Sequence, residues 1–124
     1  MRQFWLSYNY SMNPEVTLRQ IGIDEWQRGD FRPVADIHRT TEDLFKKHKA
    51  EFSEYLEEGI GRVKSAFFET PNGRRFIVNE YLEPPFPLSI IFVLYDSETM
   101  MQDLEEIKEI LDLNDSDLDF VYKY

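Results

Sequence analysis

Carboxylates are the reactive groups that stand out in this chain, and they are concentrated near its end. Eight of the eighteen residues from Asp103 to Phe120 are acidic, and Lys108 is the one basic residue among them. Carboxylates at this density can bind a metal ion, form a solvated helix face or attract a basic partner. The three possibilities differ in the spacing and surroundings that they require.

The last aspartates of the chain resemble the ligands of a calcium loop, but their spacing does not fit one. An EF-hand loop needs glycine at its sixth position and glutamate at its twelfth. A loop that starts at Asp115 has Phe120 at the sixth position, and one that starts at Asp112 has Asp117 there and Lys123 at the twelfth. We therefore expect no metal site and no cofactor, and we expect Asp115 and Asp117 to shape a turn.

The charge distribution favours a basic protein partner. The net charge is −10, and residues 81–124 carry two Lys/Arg against eleven Asp/Glu, a net of −9. Direct contact with nucleic acid is disfavoured because it requires a basic patch. A docking surface for a basic partner and a merely solvated face both remain open. The expected contact residues of a docking surface are Glu98, Glu105, Glu106, Glu109, Asp112, Asp115, Asp117 and Asp119.

Histidines and isolated carboxylates offer a second kind of chemistry, that of a hydrolase. The chain has no phosphate-binding loop, no nucleophile elbow and no zinc-protease motif. His38, between Asp36 and Arg39 in a predicted loop, is a candidate base, whereas His48 falls on a predicted apolar stripe. Glu80 lies within an otherwise apolar strand, and a hydrolase needs one carboxylic acid that is buried enough to keep its proton.

Composition limits the setting in which these groups act. The chain has no cysteine, which excludes disulfides, thiolate nucleophiles and sulfur-ligated zinc. The first fifteen residues lack the basic flank and apolar run of a signal peptide. The longest apolar run, Leu88–Tyr95, is far shorter than the ~20 residues of a membrane-spanning helix. We expect a cytoplasmic protein without membrane contact.

The first half of the chain is expected to hold one strand and two helices. Alternating residues predict a strand over Phe4–Tyr10, and Asn13 with Pro14 predicts a helix start, although residues 16–23 could equally be extended. Residues 29–39 are expected to form a loop. Apolar residues at helical spacing predict a helix over Thr41–Glu58 that ends at Gly59.

The second half is expected to hold four strands and one helix. Residues 62–69 and 75–82 read as a hairpin around Asn72-Gly73, in which a four-residue loop would place Phe67 opposite Phe76. Residues 88–95 read as a central strand, 96–111 as a helix and 118–124 as a short final strand. The predicted order is β-α-α-β-β-β-α-β over a single domain, residues 1–124: an α+β fold with a mostly antiparallel five-stranded sheet packed with two or three helices.

Size, charge and the shortage of enzyme motifs favour a binding function. The leading hypothesis is a small acidic, bacterial, cytoplasmic protein-binding module of the immunity type, an inhibitor that occludes the basic active site of a toxin or nucleic-acid-acting enzyme. One alternative is a small hydrolase or ligand-binding enzyme that uses Glu80, His38 or another pocket carboxylate. The other is a structural subunit or homo-oligomer that pairs through its C-terminal strand.

Overall fold

The computed structural model of the chain describes residues 18–22, 25, 29–83 and 88–124. The predicted strand over Phe4–Tyr10 and the predicted helix start at Asn13 lie outside these residues. The described elements, in chain order, are β1 (Arg19–Ile21), β2 (Phe31–Ile37), α1 (Thr41–Leu44), β3 (Ser53–Glu57), β4 (Gly61–Glu69), β5 (Arg75–Tyr81), β6 (Ser89–Leu94), α2 (Met100–Ile110) and β7 (Leu118–Val121).

All seven strands form one antiparallel sheet. The strand order is β1-β4-β5-β6-β2-β7, and β3 also pairs with β4. The strands β1 and β3 lie on the same side of β4, because β3 pairs with residues 61–65 and β1 with residues 67–69. Within the described part of the chain, β3 and β1 therefore form one edge of the sheet and β7 forms the other.

The prediction of five strands packed with two or three helices is wrong. The described residues form seven strands and one helix of about three turns, α2, beside the single turn of α1. The helix predicted over Thr41–Glu58 stops at Leu44, because the next apolar residues pack on the sheet rather than along a helix. The Phe45 ring stacks on Phe68 with centroids 4.7 Å apart and contacts Phe52 at 5.2 Å.

The second half of that predicted helix is strand β3, which completes the hydrogen bonding of β4. Gly59, expected to end a helix, has φ of +81° in the turn between β3 and β4. A glycine in the left-handed region suits a helix end and a hairpin turn alike, so the local sequence does not distinguish them. The long-range pairing with β4 decides the outcome.

The loop predicted over residues 29–39 is also wrong, because it contains the seven-residue strand β2. Pro33 made a loop the better prediction, since proline cannot donate a ladder hydrogen bond. The structure accommodates Pro33 next to a register shift between Pro33 and Ala35 in the pairing of β2 with β6. The extended alternative for residues 16–23 is correct at β1.

The predicted hairpin and the predicted central strand are confirmed, with a different register in the hairpin. The loop between β4 and β5 has five residues, 70–74, so Phe68 rather than Phe67 lies opposite Phe76. This register places both Phe68 and Phe76 in the buried core. The strand β6 lies between β5 and β2, as expected for a strand that is apolar on both faces.

The core lies between one face of the sheet and the two helices. The predicted stripe of α2 is confirmed: Met100, Leu104, Ile107 and Leu111 are all buried. It packs against apolar residues of the central strands, among them Ala35, Ile37, Val78, Ile91 and Val93. No helix in the described part of the chain has the length and apolar character needed to cross a membrane.

Candidate functional site

A groove of about 800 Å³ runs between α2 and the loop of the β4–β5 hairpin. Four carboxylates of α2 line it, and Pro71, Asn72 and Arg74 line it from the hairpin side. We call it the acidic groove and define it by these carboxylates: Asp103, Glu105, Glu106 and Glu109. Two features fix its walls relative to each other.

The first feature is an ion pair between Arg74 and Asp103. Arg74 donates two hydrogen bonds to the Asp103 carboxylate, at 2.9 and 3.1 Å, and a third to the Thr99 hydroxyl at 2.8 Å. The hydrogen bond to Asp103 raises the pKa of the Arg74 guanidinium above its usual value. The Asp103 side chain is only 8% exposed. The pair thus anchors the hairpin loop to the first turn of α2.

Sequence reasoning missed the role of Asp103, although a signal for it was present. Asp103 lies three residues after Met100 and four before Ile107, so helical spacing places it on the buried stripe. A charged residue at such a position needs a partner. The partner is Arg74 of the hairpin loop.

The second feature is a hydrogen bond across the groove. The Asn72 side-chain amide donates to the Glu106 carboxylate at 2.6 Å. Asn72 belongs to the hairpin loop and Glu106 to the second turn of α2. This bond holds the Glu106 carboxylate at the rim, with its remaining lone pairs available to other donors.

The acidic residues that follow α2 are mostly paired within the protein. Lys108 donates to Asp115 at 2.6 Å and to Glu105 at 3.1 Å. The hydrogen bond to Asp115 is the main cause that raises the pKa of Lys108, and the same bond lowers the pKa of Asp115. Asp112 has φ of +58° and lies 3.4 Å from the Lys47 ammonium group.

The last two aspartates are also engaged. Asp117 accepts a hydrogen bond from the Asn114 backbone at 3.0 Å, caps the 3₁₀ turn Asp115–Asp117 and lies 3.8 Å from Arg39. Asp119 is hydrogen-bonded to His38 at 2.6 Å. Asp115 and Asp117 therefore shape a turn, as predicted.

The eight predicted contact residues therefore fall into two groups, the glutamates at or near the acidic groove and the aspartates outside it. Glu105, Glu106 and Glu109 line the acidic groove. Glu98 and Glu109 are exposed, and neither has a cationic partner among the residues that the structure describes. The four aspartates from Asp112 to Asp119 lie outside the groove, and each is close to a cation or a histidine.

The residues considered for hydrolysis have other partners. The Glu80 carboxylate is buried and accepts hydrogen bonds from the backbone N–H of Thr41 at 2.9 Å and from its hydroxyl at 2.6 Å. It therefore caps the start of α1. His38 is exposed and pairs with Asp119, and His48 is half-buried against the Ile110 carbonyl at 3.2 Å. No group of three or more His, Asp or Glu side chains in the described residues is arranged to hold a metal ion.

A smaller cluster of titratable groups lies where β2 meets β7. The Tyr122 hydroxyl donates to Asp36 at 2.9 Å. Burial raises the pKa of Asp36, against the hydrogen bond from Tyr122, and Asp119 raises it further. Burial and the Asp36 carboxylate together raise the pKa of Tyr122 to about 12.

Comparison of the chain with protein-family models, curated proteins and solved structures found no match. The acidic groove combines a concave shape with carboxylates at its rim and a hairpin wall that is held by an ion pair. A surface of this kind can receive a convex basic group, such as a lysine or arginine side chain of another protein.

Proposed function

We propose that this protein is a small acidic protein-binding module of the immunity type, which inhibits a basic toxin or nucleic-acid-acting enzyme by covering its active site. The observation that carries the proposal is the acidic groove, where the three glutamates of α2 lie at the surface beside a hairpin wall held by the Arg74–Asp103 pair. The absence of cysteine in the chain fits a site of action in the reducing cytoplasm. Fold alone implies no function, so the proposal depends on this surface.

The physical argument is electrostatic. An enzyme that acts on nucleic acid presents a basic cleft to the phosphates of its substrate. Carboxylates held on a rigid helix can occupy the same positions as those phosphates. Long-range attraction then speeds association, and shape complementarity in the groove slows dissociation.

The structure also ranks the acidic residues within this proposal. Glu105, Glu106 and Glu109 form one continuous rim along α2. The Asp112 and Asp115 carboxylates are exposed, but each lies beside a lysine that offsets its charge. A partner gains less from a carboxylate that is already neutralised. We therefore assign the main contacts to Glu106 and Glu109, and a smaller share to Glu105, because Glu105 pairs with Lys108.

The test begins with capture of basic proteins from a bacterial lysate at low salt, followed by kinetics on each purified candidate. The variant Glu105→Gln/Glu106→Gln/Glu109→Gln, here called the groove variant, removes three charges from the rim. The control variant, Glu42→Gln/Asp112→Asn/Asp119→Asn, removes three exposed charges outside the groove. We expect the groove variant to associate roughly tenfold more slowly at low salt and to show a weaker salt dependence.

Equal association rates for the groove variant and the parent would refute the electrostatic proposal. The inhibitor part has its own readout, because the activity of the purified partner is titrated with the protein. Loss of that activity at one equivalent of protein supports occlusion of the active site. If the partner keeps full activity when it is saturated with the protein, the protein binds it without inhibiting it, and the inhibitor part of the proposal is wrong.

A further inference from the structure

Within the described part of the chain, β3 is an edge strand of the sheet and carries exposed apolar side chains. It pairs with β4 over all five of its residues without a register shift, and no other described strand lies beside it. In an antiparallel pair, alternate residues direct their N–H and C=O groups away from the partner strand. These outward groups form a template for one more strand.

The side chains of β3 are unusual for a protected edge. Leu56 is 77% exposed and Tyr55 is 41% exposed. Edge strands are commonly protected by proline, by a bulge or by charged side chains, and β3 has only the last of these, Glu54 and Glu57. These charges repel another acidic strand but attract a basic one. The regular backbone of β3 and its exposed leucine favour pairing.

The charge around β3 indicates what kind of strand can pair there. Residues 50–61 contain four glutamates and no lysine or arginine. Glu54 lies opposite Lys64 in β4 and 3.9 Å from Arg62. The other three have no cationic partner within the described residues: Glu51, Glu57 and Glu58.

We propose that the β3 edge binds an extended basic segment of a partner protein by strand addition. A lysine or arginine of that segment faces Glu57, further basic residues are attracted by Glu51 and Glu58 beyond the two ends of β3, and an apolar residue contacts Leu56. A second copy of this chain is disfavoured, because pairing two β3 strands brings their glutamates together. This surface is separate from the acidic groove, so neither proposal depends on the other.

The probe is a synthetic nine-residue peptide in which lysine alternates with valine, measured by fluorescence anisotropy and by the amide NMR signals of β3. One control peptide has glutamate in place of lysine. A second keeps the lysines but carries N-methyl groups on alternate backbone nitrogens, which removes donors from one edge of the peptide. Three proteins are compared: the parent, the variant Glu51→Gln/Glu57→Gln/Glu58→Gln, and the groove variant. Each of the two variants has three negative charges fewer than the parent.

We expect the lysine peptide to shift and protect the amides of β3 and to bind the parent. Its affinity for Glu51→Gln/Glu57→Gln/Glu58→Gln should fall roughly 3- to 10-fold, as expected for the loss of one cross-strand charge pair at Glu57 and of the attraction from two nearby charges. The groove variant should bind within about twofold of the parent. The glutamate peptide and the peptide that is N-methylated on its pairing edge should not bind.

Four outcomes would overturn the inference. The first is absence of binding by the lysine peptide at millimolar concentration, and the second is equal binding of the N-methylated and unmethylated lysine peptides. The third is loss of binding in the groove variant alone, and the fourth is dimerisation of the free protein through β3. The third outcome would place the basic-peptide site in the acidic groove and so support the proposed function without this surface. The fourth would make a second copy of the chain the occupant.

Discussion

Replacing Arg74 with methionine removes the cation that joins the hairpin loop to α2. The Asp103 side chain is 8% exposed and accepts both hydrogen bonds of the pair. Removing one partner of a buried ion pair lowers the free energy of unfolding by ~3–5 kcal/mol, because the other charge is left buried and unpaired. Since Arg74 itself is 38% exposed, we expect the lower end of that range for Arg74→Met, about 3 kcal/mol.

The reciprocal change should cost less. In Asp103→Leu the remaining guanidinium can turn toward water, so we expect a loss of about 1.5 kcal/mol, near the worth of one hydrogen bond to a charged group. The double variant leaves neither charge unpaired and should be more stable than the sum of the two single effects predicts, by about 2 kcal/mol. Arg74→Met is therefore expected to lose more free energy of unfolding than Asp103→Leu, because the Asp103 side chain is more buried than that of Arg74.

Urea denaturation, followed by circular dichroism, gives the free energy of unfolding of the parent, the two single variants and the double variant. Thermal denaturation of the same proteins gives their Tm. A chain of this size loses roughly 4 °C in Tm for each kcal/mol, so Arg74→Met should melt about 12 °C below the parent. Strict additivity of the two changes, or a larger loss in Asp103→Leu than in Arg74→Met, would refute the reasoning.

Three further predictions concern single residues away from the groove. Glu80→Ala should lower the free energy of unfolding by ~2 kcal/mol in urea, because the start of α1 loses a buried hydrogen-bond acceptor. Asp36→Asn should be more stable than the parent at pH 7, because burial raises the pKa of Asp36 and its charged form is therefore unfavourable in the folded state. The difference should disappear in acid, where the carboxyl of the parent is protonated. The amide still accepts from Tyr122. Gly61→Ala should cost ~2 kcal/mol, because φ is +114° and an added Cβ collides with the Glu83 carboxylate.

Matched variants make these predictions refutable. Glu80→Gln keeps an acceptor oxygen at the start of α1, so it should lose less than Glu80→Ala; an equal loss would mean that the hydrogen bonds do not matter. Gly22→Ala serves as the control for Gly61, because Gly22 has open space around its Cα and no positive φ. Equal stability of Asp36→Asn and the parent at pH 7 would show that the Asp36 carboxylate is well hydrated.

The elements that the sequence predicts correctly are those with strong local signals. Asn72 and Gly73 mark the hairpin turn, four apolar residues at spacings of four, three and four mark α2, and an unbroken apolar run marks β6. Each of these signals lies within one element. The register of the hairpin was missed by one residue because the loop length depends on how Phe68 and Phe76 pack.

The elements that the sequence predicts wrongly are held by distant partners. The residues of β3 have no alternation and read as the continuation of a helix, and only β4 makes them a strand. The strand β2 contains Pro33, which is tolerated because a register shift follows it. Local propensity is a weak guide where a neighbouring strand supplies the hydrogen bonds.

The acidic site shows the same limit. Within the sequence Asp103–Phe120, Lys108 is the one nearby cation, so the segment reads as strongly and uniformly negative. The fold brings further cations from far along the chain, since Lys47 and Arg39 approach aspartates that are 65 and 78 residues away. The sequence gives no indication of this pairing because it depends on where α1 and β7 meet.

The pairing changes which carboxylates a partner can sense from a distance. A carboxylate beside a cation acts as a dipole, and its field falls off faster than that of a lone charge. The long-range negative field of the described residues therefore comes mainly from acids without cations. Two groups of them lie beside a possible binding surface: Glu106 and Glu109 at the acidic groove, with Glu98 nearby, and the three unpaired glutamates around β3. Both places combine open charge with a shape that can hold a ligand, one a groove and the other a strand edge. The aspartates near the end of the chain, the most conspicuous acids in the sequence, contribute more to closing β7 onto the rest of the fold.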